Sequence, residues 1–335
     1  MKQGGSLSQT LKICLLALLL AALCAGLCGC AGKQRETDAK PTERTITVGF
    51  SQVGAESDWR AANTLSMQQA LSAENGYRLI LDDAQNRQDR QITAIRNFIQ
   101  QEVDYIVLAP TTETGWDTVL TEAKAAGIPV ILVDRMIEVS DDDLFTCWVG
   151  SDFREEGRRA VAWMEKTFAD QPLKIVHLQG NLGSSAQIGR TLGLDEGIAN
   201  NSGWELVFRE DGDFTQAKGQ ELVETLLEAG TAFNVIYSEN DNMAYGAVDA
   251  LKKAGLKPGE DVTILSFDAS RNALGLLMDG IISYDVECNP LHGPRVRNII
   301  EQLESGETPP KLTYVEEAVF DRENTTRELI DSRGY

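Results

Sequence analysis

Between Gly49 and Asn63 the chain reads GFSQVGAESDWRAAN, an apolar run that gives way to a helical one. The junction holds Glu56, Ser57, Asp58, Trp59 and Arg60: two acids, a hydroxyl, a large aromatic and a guanidinium in consecutive positions. Similar residues end other apolar runs. Asp134 and Arg135 close PVILVDR, Asn240 closes FNVIYSEN with Asp241 directly after it, Asp268 lies at the end of VTILSFDA, and Arg190 follows KIVHLQG in LQGNLGSSAQIGR. Singly, each has an ordinary explanation. Asp and Asn cap helices, and an Arg beside an acid is commonly a surface ion pair of little energetic weight. Repeated at the same kind of junction in both halves of the chain, they describe two polar rims that face each other. A carboxylate only accepts hydrogen bonds, a guanidinium only donates them and an amide does both. That mixture suits a neutral polyol, whose hydroxyls each donate and accept. Arg forks across adjacent oxygens, and Trp59 offers an apolar face to the C–H side of a sugar ring, its competing use being a core or lid aromatic.

Catalysis finds less support. There are two histidines. His177 lies inside the apolar KIVHLQG and reads as a satisfied core imidazole; His292 opens a helix after Asn289-Pro290, and the two are not spaced as metal ligands. No GxSxG, GxxxxGK[ST] or HExxH pattern occurs, and GNLGSSAQIG lacks the GxGxxG of dinucleotide folds. Abundant carboxylates alone do not make a glycosidase acid–base pair. No enzyme activity, metal or cofactor is therefore expected. A formal net charge of -20 opposes binding to nucleic acid or to an anionic membrane surface.

The elements that must position these residues alternate along the chain. TITVGFS, YRLILDDA, YIVLAP and PVILVDR read as strands with helical stretches between them, including 58–75 and 116–126. KIVHLQG, WELVFRE, FNVIYSEN and VTILSFDA repeat the alternation. Continuous apolar strands separated by single helices imply parallel sheets covered on both faces, here as two successive α/β units. In such sheets ligands bind beyond the carboxyl ends of the strands, where the polar residues fall.

The first residues stand apart. ICLLALLLAALCAGLCGC is too short for a confident membrane span, and its end, Leu27-Cys28-Gly29-Cys30, resembles the lipobox of bacterial lipoproteins. The expectation is a signal peptide over 1–29, lipidation of Cys30 and a polar tether over 30–44. Cys147 and Cys288 read as free and buried, although such a compartment permits a disulfide.

Taken together, GFSQVGAESDWRAAN, VLTEAKAAGIPVILVDR, GDFTQAKG, SENDNMAYGAVDALKKAGLKPG and DVECNP resemble the sugar-binding proteins of bacterial ABC importers, of the ribose/galactose-type periplasmic binding class. The ESDWR turn with TGW at 114–116 points to the galactofuranose branch. The resemblance covers nearly the whole chain after the tether. It implies two doubly wound parallel-sheet α/β lobes joined by a three-crossover hinge: 45–151 plus 288–314, and 152–287 plus 315–335. Glu56, Ser57, Asp58, Trp59, Arg60, Asp134 and Arg135 would form one wall of a sugar cleft. Arg190, Asn240, Asp268 and Glu287 would form the other, with Phe214 of GDFTQAKG beside the sugar. Two departures stand out: Glu239 precedes Asn240 where the family has no acid, and Leu194 follows Gly193 where it has Phe. The function implied is a lipid-anchored, extracytoplasmic monomer, held to the membrane through its lipid alone, that passes a monosaccharide to permease and ATPase subunits. The alternative is a receptor that presents its liganded form to a sensor kinase or chemoreceptor. A regulator of this fold would carry a DNA-binding segment where the signal sequence lies.

Overall fold

The structure is a computed structural model that describes residues 44–335 apart from Asp170. The signal peptide, Cys30 and nearly all of the tether lie outside the described residues.

The chain builds two six-stranded sheets. The first contains β1 (Ile46–Gln52), β2 (Tyr77–Asp83), β3 (Tyr105–Leu108), β4 (Val130–Val133), β5 (Cys147–Gly150) and, from late in the chain, β11 (Leu312–Tyr314). All its pairings are parallel, in the order β11-β5-β4-β3-β1-β2. The second contains β6 (Leu173–Gln179), β7 (Trp204–Asp211), β8 (Val235–Ser238), β9 (Thr263–Asp268), β10 (Tyr284–Glu287) and β12 (Val319–Phe320). Its order, β12-β10-β9-β8-β6-β7, repeats the first sheet strand for strand. The exception is β12, which pairs antiparallel to β10, an edge strand of opposite sense being common on parallel sheets. Central strands such as β4 and β8 are buried along their whole length, which is why they read as unbroken apolar runs rather than alternating ones.

Helices cover both sheets. Those that bear on the site are α1 (Asp58–Ala70), α4 (Phe153–Phe168), α5 (Ser185–Asn200), α6 (Gln216–Glu228), α7 (Asp241–Lys253) and α9 (Gly293–Glu304); α2 (Gln88–Gln100), α3 (Asp117–Ala125), α8 (Arg271–Met278) and α10 (Arg327–Ser332) complete the set. Most start directly after a strand, with Ser57, Ser184, Asn240 and Ser270 capping α1, α5, α7 and α8 through side-chain oxygens. The helical stretch expected over 58–75 breaks after Ala70 and resumes as a short 3-10 turn, Ala73–Asn75, before Gly76 reverses the chain at φ 86°. Among the described residues no helix is long and apolar enough to cross a membrane.

The chain passes between the sheets three times: after β5, after β10, and between β11 and β12. Cys147 and Cys288 are free and buried.

Candidate functional site: a cleft between two sheets

Both sheets have a switch point where strand order reverses, beside β1 in one and β6 in the other. Chain segments leaving neighbouring strands diverge there and open a crevice. The two crevices face each other across a single small cavity. Glu56, Ser57, Trp59, Arg60, Asp134 and Arg135 line one side; Arg190, Phe214, Asn240 and Asp268 line the other. Phe153, Ala186 and Cys288 complete the lining. These three carry no polar signature in the sequence; only their positions, just after β5, at the start of α5 and just after β10, could have suggested them.

Two acids expected in the walls are elsewhere. Asp58 is exposed, and its backbone N–H donates to Asn242 Oδ1 across the cleft at 3.0 Å. Glu287 turns away. Its Oε2 accepts from Ala318 N at 3.0 Å, and its Oε1 accepts from Tyr335 Oη at 3.0 Å and pairs with Arg333. A carboxylate already holding a guanidinium, a phenol and a backbone amide has little capacity left for a ligand.

The first wall is an ion-pair network around Arg60. Its Nη2 lies 2.8 Å from Asp134 Oδ2 and its Nε 3.2 Å from Glu56 Oε1, while the guanidinium sits 4.6 Å over the Trp59 ring. Burial opposes the Arg60 charge, but Asp134 and Glu56 outweigh it and raise its pKa. Arg135 is different. It is 2% exposed, its Nη1 reaches Thr111 O only at 3.4 Å, and Glu56 and Asp134 stand 3.9 Å away. Its Nε has no hydrogen-bond partner. Burial, reinforced by the neighbouring Arg60, pushes its pKa down to about 10.

On the second wall Arg190 Nε bonds Glu156 Oε2 at 2.7 Å and its Nη2 lies 3.8 Å from Asp268 Oδ1. Burial and then Asp241 push Asp268 well above the usual carboxylate range. Asn240 lines the cavity but also does the work of a cap: Oδ1 accepts from Met243 N at 2.9 Å and Nδ2 donates to Phe214 O at 3.0 Å. Asp134, Phe214 and Asp268 all sit at positive φ, 64°, 58° and 116°. Non-glycine residues hold such angles at a cost of order 1–3 kcal/mol each, so the surrounding packing imposes them where side chains must aim inward.

His177 is the satisfied core imidazole that its apolar strand suggested. Its Nε2 lies 2.8 Å from Glu239 Oε1 and its Nδ1 accepts from Arg209 Nε at 2.9 Å. Glu239 also accepts from Gly180 N at 2.7 Å and Thr191 Oγ1 at 2.9 Å, which accounts for an acid at that position.

The sheets are drawn together at the rim. Besides the Asp58–Asn242 contact, Met136 N donates to Ser185 Oγ at 2.9 Å and Glu113 N to Gly183 O at 2.9 Å. At the hinge, the Glu317 carboxyl touches both other crossovers, accepting from Ser151 Oγ and Asn289 N at 2.7 Å each. Burial, with Glu156 nearby, pushes Glu317 up to about 8. The folded protein thus keeps a proton that an unfolded glutamate loses near 4.5. This contribution is full below that lower value and falls away as pH rises through the window to about 8. Glu317→Gln should therefore show a flatter decline in melting temperature across that window; a decline as steep as the wild type's would rule out this group as its source.

A closed crevice between twin α/β units, walled by charge and amide, defines a solute-binding protein. The chain belongs to the periplasmic binding protein family, whose domain matches residues 48–291; it binds rather than catalyses. It is 38% identical to the galactofuranose-binding protein YtfQ of Escherichia coli over 296 residues, 87% of this chain and 93% of that protein. Two solved structures are similar. One, from Mycobacterium smegmatis in complex with β-D-fucofuranose, is 42% identical with a TM-score of 0.81, covering 84% of this chain and 92% of that one. The other, the periplasmic component of the arabinose ABC transporter of Shewanella sp. ANA-3 bound to α- and β-L-arabinofuranose, is 39% identical with a TM-score of 0.80, covering 87% and 99%.

Proposed function

We propose that this protein captures a monosaccharide in its five-membered ring form and delivers it to an ABC importer. The observation that carries this is Arg135: a buried guanidinium with an unpartnered Nε, in a cavity it shares with Arg60, Arg190, three acids, the Asn240 amide and the Ser57 hydroxyl. Ligand hydroxyls would complete its hydrogen bonds and those of the acids opposite. The relatives above, bound to or named for furanoses, supply the ring form. Two lobes, 45–151 plus 288–314 and 152–287 plus 315–335, would rotate about the three crossovers, the rim contacts forming as they meet.

Titration calorimetry with free aldoses, which reach the furanose form in water, and with their methyl pyranosides, which are locked out of it, tests the proposal. Galactose, fucose or arabinose should bind and the pyranosides should not. Binding of a methyl pyranoside as tightly as its free sugar would overturn the ring assignment, and no binding of any aldose would overturn the sugar. A bound sugar at 100 times its dissociation constant should also add about 2.7 kcal/mol of stability.

The lipid anchor rests on Leu27-Cys28-Gly29-Cys30 at the end of the apolar run and the polar stretch after it. Cys30→Ser should lose the lipid and leave the membrane fraction or stall before processing. Normal mature mass with full membrane retention would refute the anchor.

A further inference from the structure

We propose that Gln52 is a positioning residue for the Arg60 guanidinium, holding it in register with the second crossover through Asn63. The inference rests on the cleft being the sugar site. Trp59, Asn63 and Ser66 share one face of α1, four and three residues apart. Each bonds the crossover that follows β10. Trp59 Nε1 donates to Cys288 O at 2.6 Å, Asn63 Nδ2 to Pro290 O at 2.9 Å, and Ser66 Oγ accepts from Gly293 N at 3.0 Å. The approach is close enough that a Cβ on Gly293 would lie 2.0 Å from Ser66 O. Helix α1 and this crossover are therefore one rigid piece.

The polarity of the next link follows from the first. Pro290 offers only a carbonyl, so the Asn63 amide must turn its nitrogen that way and present its oxygen to Gln52. Gln52 must answer with its own nitrogen: Nε2 donates to Asn63 Oδ1 at 2.9 Å and to Thr64 Oγ1 at 3.0 Å. Both amide hydrogens are then spent, and Gln52 Oε1 has one direction left, towards Val53 N at 2.9 Å and Arg60 Nη1 at 3.3 Å. Gln52 ends β1 and is 1% exposed. A run of fixed donors and acceptors leads from a hinge carbonyl to a cavity guanidinium, and no other orientation of the two amides satisfies every partner.

The test is a thermodynamic cycle read by calorimetry with D-galactose. Gln52→Leu should weaken binding about tenfold, the scale of one lost hydrogen bond to a charged group. Thr64→Val, a near-isosteric change at a half-buried helix position, should weaken it about threefold by freeing one side of the Gln52 amide. In an Arg60→Lys background both changes should move affinity less than about twofold, because the group they position has gone. A residue that merely supports the fold would weaken binding equally in both backgrounds, and that result overturns the assignment. Ligand-free melts establish the folded fraction of each variant, and Thr64→Val carries the test if Gln52→Leu does not fold. A wild-type protein that binds no aldose overturns the sugar reading and this assignment together; additive losses in a protein that does bind overturn the assignment alone.

Discussion

Arg135→Met should lose about a hundredfold or more in sugar affinity while its ligand-free melting temperature stays level or rises. Two hydrogen bonds from a charged donor, at roughly 1.5–3 kcal/mol each, set the scale of the loss. The stability expectation comes from what Arg135 lacks. Its charge is buried, its Nε is unpartnered and its nearest carboxylates stand 3.9 Å away, so burial is poorly compensated, and an apolar side chain of similar length is often no worse there. Arg135→Lys keeps the charge but not the fork and should still bind at least about tenfold more weakly. Arg60 is the contrast. The sequence places it, like Arg135, just beyond a strand end, and the two would be expected to act alike, setting affinity and leaving stability untouched. The structure separates them, because Arg60 neutralises Asp134 and Glu56 at 2.8 and 3.2 Å. Its removal leaves these carboxylates facing only the more distant Arg135 guanidinium, 3.9 Å away, and losing the close partner of a buried pair costs up to roughly 3–5 kcal/mol, so Arg60→Met should lower both affinity and melting temperature. Calorimetric titration beside thermal melts distinguishes the two, and an Arg135→Met protein that melts well below wild type yet binds sugar normally would refute the proposed role.

Gly180→Ala should nearly abolish binding, on the order of a hundredfold or more, through a single methyl group. A Cβ on Gly180 would fall 1.8 Å from Phe214 Cζ. The glycine is held from behind by Glu239 Oε2 at 2.7 Å and Phe214 is held by Asn240 at 3.0 Å, so the backbones have little room to part. The ring must swing instead, towards Arg135, whose guanidinium lies 5.4 Å over it, and into space the sugar needs. Strain of this kind costs typically 1–3 kcal/mol, so the melting temperature should also fall. Adding Phe214→Leu should restore stability more than affinity, because it relieves the clash but removes an aromatic wall. Wild-type affinity in Gly180→Ala would show that Phe214 does not bound the site.

The α/β alternation, and with it the address of the site, was legible in the sequence because both rest on local signals. Apolar runs such as VILV and VIYS are strands wherever they are buried on both faces, and polar residues directly after them lie at the open end of the sheet whatever the rest of the chain does. That reasoning reaches Trp59, Arg60, Asp134, Arg135, Arg190, Asn240 and Asp268, all of which line the cavity. It fails where a side chain's use depends on a distant partner. Glu287 ends a strand like the others, but Arg333 and Tyr335, some 46 and 48 residues on, fold back and occupy its carboxylate. Asp58 sits in the richest turn of the chain, yet as the first residue of α1 it is exposed and meets Asn242, 184 positions away, through its backbone. Gln52 looks like the polar end of a strand until Asn63 and Pro290 orient its amide. Only tertiary structure decided which arginine is paired and which is left to the ligand, because both have acids next to them in sequence and the difference is about 1 Å of separation across a buried wall.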